Sequence, residues 1–475
     1  MSKSVIVFRN QLAQFKCEKG MIFFYCLAIA IMGIVVPIFL RGVESSLTMA
    51  ALLTATFLKP ILADSLAGER EHRTLETLLS SPMNGKSIVW GKFLFCLLFA
   101  ASFFGLTTLC SVLSNWFFGY EMTITTLQWV GVIFLAILNF SAISIAGVHV
   151  SATSGDMRVA NSRVSRVAYP LGLIFLIYLP VMASLDLLSA IVVSLILCCF
   201  YICFIVVYAI RISKMKQASY YENIKIKVKK IRENQSSLIT PKSQFGVVFG
   251  FELKYLMTLK TLLFGFGILC AAPAFFACIL PLLSFTGEVD FNYAVFITIL
   301  AIPRVPTNLI AYSIGGEKVY KTGEPLLSTP LHIRSVFLAK CMIPILVTTI
   351  MLILSSLLTL MGATILGWTT QITVPSYRYS IGQLVMLFPV GILSSMLMMF
   401  LSAIFAVILR TPRHSLYVTS IISFLFVAPV LAIVYLTSNY LLWSVIYAVV
   451  LLICNAICVI NISDKITRPQ IMSKL

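Results

Sequence analysis

Long apolar runs, most of them close to 20 residues, alternate with short polar stretches along the whole chain. That length crosses a ~30 Å hydrocarbon core as a helix. Polar and apolar positions do not alternate within the runs, which excludes the strands of a membrane barrel. The first half predicts spans at about 21–40, 47–66, 88–113, 127–150, 168–184 and 187–210. The second predicts them at about 261–284, 292–313, 336–366, 381–409, 415–436 and 440–462. Between the fifth and sixth spans only Asp186 interrupts the apolar character, so a tight turn and a re-entrant pair of short helices both fit. The expected fold class is an all-α polytopic membrane protein with about 12 transmembrane helices.

Each set of spans follows a stretch of mixed character. Residues 4–18 carry Val5, Val7, Phe8, Leu12 and Phe15 among Arg9, Gln11, Gln14 and Lys16. This suits a helix lying in the membrane interface, or an ordinary basic leader. A second such stretch runs from Phe245 to Lys260. The apolar run from Met21 is full length, so the first span is expected to stay as an anchor and not to be cleaved as a signal.

The largest polar interruption between spans two and three is GEREHRTLETLLSSPMNGKSIVWGK, Gly68 to Lys92. It recurs without a gap as GEKVYKTGEPLLSTPLHIRSVFLAK, Gly316 to Lys340, at a spacing of 248. Glu69 falls on Glu317, Arg70 on Lys318, Arg73 on Lys321, Thr74 on Thr322, Glu76 on Glu324, Pro82 on Pro330 and Lys92 on Lys340. One half-molecule is written twice. The halves are expected at 1–210 and 246–475, with a basic linker at 211–245 in which nine lysines and arginines face Glu222 and Glu233.

Composition agrees with a bilayer solvent. The chain is 60% hydrophobic and 11% charged, with a mean hydropathy of +1.00, against roughly 25% charged in soluble domains. The net charge of +18 would suggest nucleic acid on a soluble protein. Here its placement argues against that partner. With the amino terminus inside, 31 of the 35 lysines and arginines fall in inner loops. Both termini and both copies of the island are then cytoplasmic, in a cell-membrane protein. Six spans per half is an even number, so the two six-helix repeats run parallel and inverted repeats are excluded. The 12 cysteines lie mostly inside apolar runs, where a thiol packs as a small apolar group.

On a helix Glu69, Arg73 and Glu76 form an acid–base–acid ladder, kept in the second copy as Glu317, Lys321 and Glu324. Leu75, Leu78 and Leu79 add an apolar patch, and Pro82 and Pro330 end each helix. Such a surface suits docking of a polar protein partner.

The pattern E-x4-T-x-E-x-L-L-x-x-P, with a lysine ten residues after the proline, resembles the permeases of type-2 ATP-binding-cassette exporters. In that family the segment is the coupling helix seated in a groove of the ATPase subunit. Glu69, Arg73, Thr74, Glu76, Leu79 and Pro82 match it, and Glu317, Lys321, Thr322, Glu324, Leu327 and Pro330 match it again. The resemblance implies two cytoplasmic ATPase subunits as partners and ATP with Mg on those chains, with no cofactor on this one. It also implies export, with a peptide or amphipathic cargo as the expectation. The departures are the fusion of two six-span halves and the sequence Gly323-Glu324-Pro325, which weakens the second helix. The alternative is a proton-coupled carrier of major facilitator type, to which Leu62 to Arg70 is similar, though one residue out of register and only in the first half.

No catalytic or metal-binding set emerges. NGKS at Asn84 to Ser87 has Ser80 where a phosphate-binding loop needs glycine, and it opens a membrane helix. Lys59, Asp64 and Arg304 fall inside predicted spans and are candidate pathway residues. Lys59 is expected to snorkel and Asp64 to sit wet at the inner boundary. Arg304, between Pro303 and Pro306, is expected near the midplane in a broken helix. It would contact an anionic cargo group or pair with Asp64 as a gate.

Overall fold

The computed structural model describes residues 3–17, 19–30, 33–34, 43–71, 74–75, 84–119, 126–155, 157–184, 187–215, 244–258, 260–274, 277–278, 291–319, 333–369, 378–408 and 439–465, with ten positions between 415 and 434. The linker from 216 to 243 and most of span eleven lie outside these residues. The chain divides into two compact units, Met1–Ser236 and Ser237–Leu475. Among the described residues both are helical and contain no strand. Seven helices there are long and apolar enough to cross a membrane. The protein is a helical membrane protein.

In the first unit α1 (Lys3–Cys17) lies against α5 (Gly85–Phe118). Gly91 makes that approach close: a β-carbon there would sit 2.6 Å from the Ser4 carbonyl oxygen and 2.6 Å from Val7 Cβ. Val7 of α1 is buried. An aromatic cluster of Phe15, Tyr25, Phe95, Phe99 and Phe103 joins α1, α2 (Lys19–Ala30) and α5. Tyr25 also shares a 2.8 Å hydrogen bond with Ser102. Gly91→Leu is expected to push α1 off α5 and cost about 1–3 kcal/mol. Denaturant titration in detergent measures this, with protease access to α1 as the local readout.

Helix α5 spans 34 residues, roughly 50 Å at 1.5 Å per residue, so it extends beyond the hydrocarbon core at its ends. It stops at Gly119, whose φ of 70° lets its N–H close on the Asn115 and Trp116 carbonyls. Trp116, Phe117 and Phe118 are exposed just before it, as rings are at a membrane–water boundary. Helix α3 (Val43–Asp64) packs against α6 (Thr126–Ala152) and α7 (Met157–Ser184). Leu58, Leu62, Ala63, Ala142 and Ala146 are buried in this unit's core. Helix α8 (Leu187–Lys214) stands at the rim, with Ile191, Leu195, Phe200 and Val207 exposed.

The stretch 151–167, between the predicted fourth and fifth spans, is mostly helix, because α7 begins at Met157. Met157, Ala160, Asn161, Val164 and Ala168 recur at helical spacing, and all are buried. Amphipathic periodicity outweighs mean polarity at this position.

In the second unit α9 (Gln244–Thr258) and α10 (Lys260–Ala274) pack on α13 (Ile333–Thr369). Helix α11 (Phe291–Ala301) gives way to α12 (Arg304–Val319) across Ile302 and Pro303. The break predicted at Pro303 and Pro306 is therefore present: Pro303 has no N–H to donate to the turn before it. The turn closes instead through Ile302 N to the Thr298 carbonyl at 3.0 Å and Val305 N to the Ile302 carbonyl at 2.9 Å. Helix α14 (Ile381–Val385) opens with a reciprocal cap between Ser380 and Gln383. It passes through a π turn, Met386–Val390, into α15 (Gly391–Ile408). Pro389 lies in that wide turn, which admits a proline where a regular turn would clash. Helix α16 (Tyr440–Lys465) packs on α15. Phe291, Val295, Met386, Val390 and Leu451 share the buried core.

Candidate functional site

The first copy of the island is anchored by its own charges. Helix α3 ends at Asp64, the chain turns at Ser65 and Leu66, and α4 (Ala67–Glu71) follows. The turn frees backbone N–H groups that need acceptors. The Ser151 hydroxyl of α6 accepts from Leu66 N at 3.1 Å and Ala67 N at 2.9 Å, and donates to the Ala63 carbonyl at 2.9 Å. One buried hydroxyl thus splices the end of α3 to the start of α4. Gly68 lies so close to Asp64 that a β-carbon would overlap its carboxylate.

Three consecutive side chains then leave α4 for three different helices. The Glu69 carboxylate accepts from Lys92 Nζ of α5 at 2.5 Å. Lys92 is 2% exposed and also donates to the Ser65 carbonyl. Arg70 donates to the Ala152 carbonyl at 2.9 Å and to the Ser154 carbonyl, capping the end of α6. Burial lowers its pKa from the ordinary value, but a guanidinium stays charged across the accessible pH range. Glu71 accepts from Met157 N at 3.1 Å, at the start of α7. There a carboxylate meets both an unpaired N–H and the positive end of the helix dipole. Arg163 adds a 3.4 Å bond to the Thr153 carbonyl in the same turn.

Glu69, the first member of the ladder expected with Arg73 and Glu76, meets a partner 23 residues away. Thr74 is exposed and donates to the Glu69 carbonyl at 3.2 Å, and Leu75 is buried. Arg73, Glu76, Leu79 and Pro82 lie outside the described residues. So do Lys321, Thr322, Glu324, Leu327 and Pro330, and Glu317 is described in its backbone alone, within α12.

The second unit carries a related arrangement. Lys340 of α13 is buried and donates to Glu252 of α9 at 2.6 Å and to the Ser313 hydroxyl of α12 at 3.0 Å. Ser313 donates to Glu252 at 3.1 Å, closing a triangle. Lys340 and Ser313 stand 248 positions after Lys92 and Ser65. Glu252 reaches the lysine from the helix preceding the first long span of its unit.

Of the pathway candidates, Lys59 is buried within the first unit. It is 8% exposed, and its Nζ donates to the Tyr169 hydroxyl of α7 at 3.2 Å and lies 5.1 Å from that ring. Asp64 is half-buried beside Gly68. Arg304 opens α12, and its side chain lies outside the described residues. Sequence reasoning did not single out Arg70, Glu71, Ser151, Glu252 or Ser313. For Lys92 and Lys340 a signal was present: both fall inside predicted spans, where a cation needs a partner. Among the described residues no group of three or more His, Cys, Asp or Glu could hold a metal ion. No family model, curated protein or solved structure matches the chain.

Proposed function

We propose that this protein is the membrane-spanning subunit of an ATP-driven exporter of the type-2 ATP-binding-cassette class. In this reading it has two parallel six-span halves, both termini are cytoplasmic, and the chain resides in the cell membrane. ATP and Mg act on two separate ATPase subunits, which seat against the islands at 68–82 and 316–330. The observation that carries this reading is the triple attachment of Glu69, Arg70 and Glu71 to α5, α6 and α7. A push on a loop held by one flexible end would be lost in the loop. A push on α4 reaches three long helices together, which is what coupling to a mechanical ATP cycle needs. Lys340 again meets the serine 27 positions before it, here through the Ser313 hydroxyl where Lys92 uses the Ser65 carbonyl, which supports a second input. Exposed Thr74 is available for docking, while the Glu69 charge is held within its own unit.

The test is purification of the full chain from its native membrane in mild detergent. A stoichiometric ATP-binding-cassette ATPase, inhibited by orthovanadate, is expected to accompany it. Arg70→Gln is expected to retain that subunit while ATP hydrolysis loses its response to the permease, by about tenfold or more if a charge-assisted bond is lost. Purification without any ATPase, together with proton-driven transport by the chain alone, would overturn the proposal.

A further inference from the structure

Lys59 stands apart from the other buried cations. Lys92 meets the Glu69 carboxylate and Lys340 meets Glu252. Lys59 is 8% exposed on a predicted membrane span, and among the described residues its partner is a neutral phenol. An ammonium carries three N–H donors, and removing it from water is costly unless an opposite charge compensates. Lys59 lies five residues before the end of α3, roughly 7 Å along the axis. Its side chain is directed to Tyr169 of α7.

The face of α7 that carries Tyr169 is polar. Ser162, Ser165 and Tyr169 share one face of α7 at helical spacing, and both serines are buried. Gly172 continues that face, where a β-carbon would stand 3.8 Å from Ala55 of α3. Hydroxyls therefore line the face of α7 that carries Tyr169, up to the close helix packing at Gly172. Leu58, Pro60 and Ile61 around the lysine are buried. A cation beside a hydroxyl donor, on a polar helix face with buried apolar neighbours, fits an acidic head on an apolar body.

We propose that Lys59 and Tyr169 form a recognition point for the carboxylate or phosphate of an anionic amphiphile, transported as cargo. This rests on the transport reading above and narrows its cargo class. Two sources could supply that chemistry, a free amphiphile or the headgroup of a membrane lipid, and the test separates them.

Full-length protein in nanodiscs of neutral phosphatidylcholine is titrated with dodecanoate, and with uncharged dodecanol, by calorimetry. Saturable dodecanoate binding is expected, weakened about tenfold or more in Lys59→Gln and kept in Lys59→Arg. Tyr169→Phe, which keeps the ammonium and most of the packing, is expected to weaken it severalfold, and it serves where Lys59→Gln fails to fold. Dodecanol is expected to show no dependence on either residue. Equal dodecanoate binding by wild type, Lys59→Gln and Tyr169→Phe overturns the proposal. Loss of the Lys59-dependent signal when phosphatidylglycerol replaces part of the disc lipid assigns the site to the membrane and overturns the cargo role. No ATPase takes part in this titration. Binding through Lys59 in a chain that purifies without an ATPase and transports by proton drive alone would keep the site and sink the ATP-driven reading; a co-purifying ATPase with no Lys59-dependent binding would do the reverse.

Discussion

Lys92→Met is expected to destabilise the first unit by about 3–5 kcal/mol, the usual cost of leaving one member of a buried ion pair alone. Methionine matches the length and apolar stem of lysine, so packing within α5 changes little. What remains is a largely buried Glu69 carboxylate, whose second oxygen already has no hydrogen-bond partner among the described residues. The Ser65 carbonyl loses its donor too, just where α3 turns into α4. Unfolding measured by denaturant titration in detergent should register the loss, and cleavage near residues 65–71 should accelerate. The double variant Lys92→Met with Glu69→Leu is expected to recover most of the stability, because no uncompensated charge is left. A single-variant loss below about 1 kcal/mol would mean that the pair behaves like a solvent-exposed bridge.

The second large effect is expected at Lys340→Met, with a loss of about 3 kcal/mol in the second unit. Glu252 keeps its bond from Ser313, so the stranded carboxylate is partly satisfied and the loss sits at the lower end of the range. Ser313→Ala leaves the Lys340–Glu252 bond in place and should cost only about 1 kcal/mol. The order of the two, read by the same titration, is the check: Ser313→Ala at or above Lys340→Met would show that the ion pair does not hold the triangle. Release of α9 from α13, seen as protease access at residues 244–258, should follow Lys340→Met alone.

The helices were legible where the solvent itself writes the pattern. Apolar runs long enough for a bilayer predicted α5, α6 and α8 to within a few residues of most ends. Pro303 and Pro306 announced the break between α11 and α12, since a missing N–H is a property of the residue alone. The start of α7 was not legible from mean hydropathy, because Asn161, Ser162 and Ser165 are polar yet buried. The island was visible as a charged segment, but the destination of Glu69 was not. Sequence neighbours favour a local ladder with Arg73, while the carboxylate binds Lys92 on another helix, a pairing that only tertiary packing creates. The same holds for Glu252 and Lys340, which are 88 positions apart.

Successive residues on a helix point about 100° apart. Glu69, Arg70 and Glu71 therefore leave α4 in three directions and find three helices, like the teeth of a key. Changing one tooth removes one bond. Inserting a single residue ahead of Glu69 rotates all three away from their partners in one step. The island can then tolerate drift in chemistry far better than drift in length. The two copies in this chain obey that distinction: Glu71 becomes Val319, yet Gly68 to Lys92 and Gly316 to Lys340 keep the same spacing.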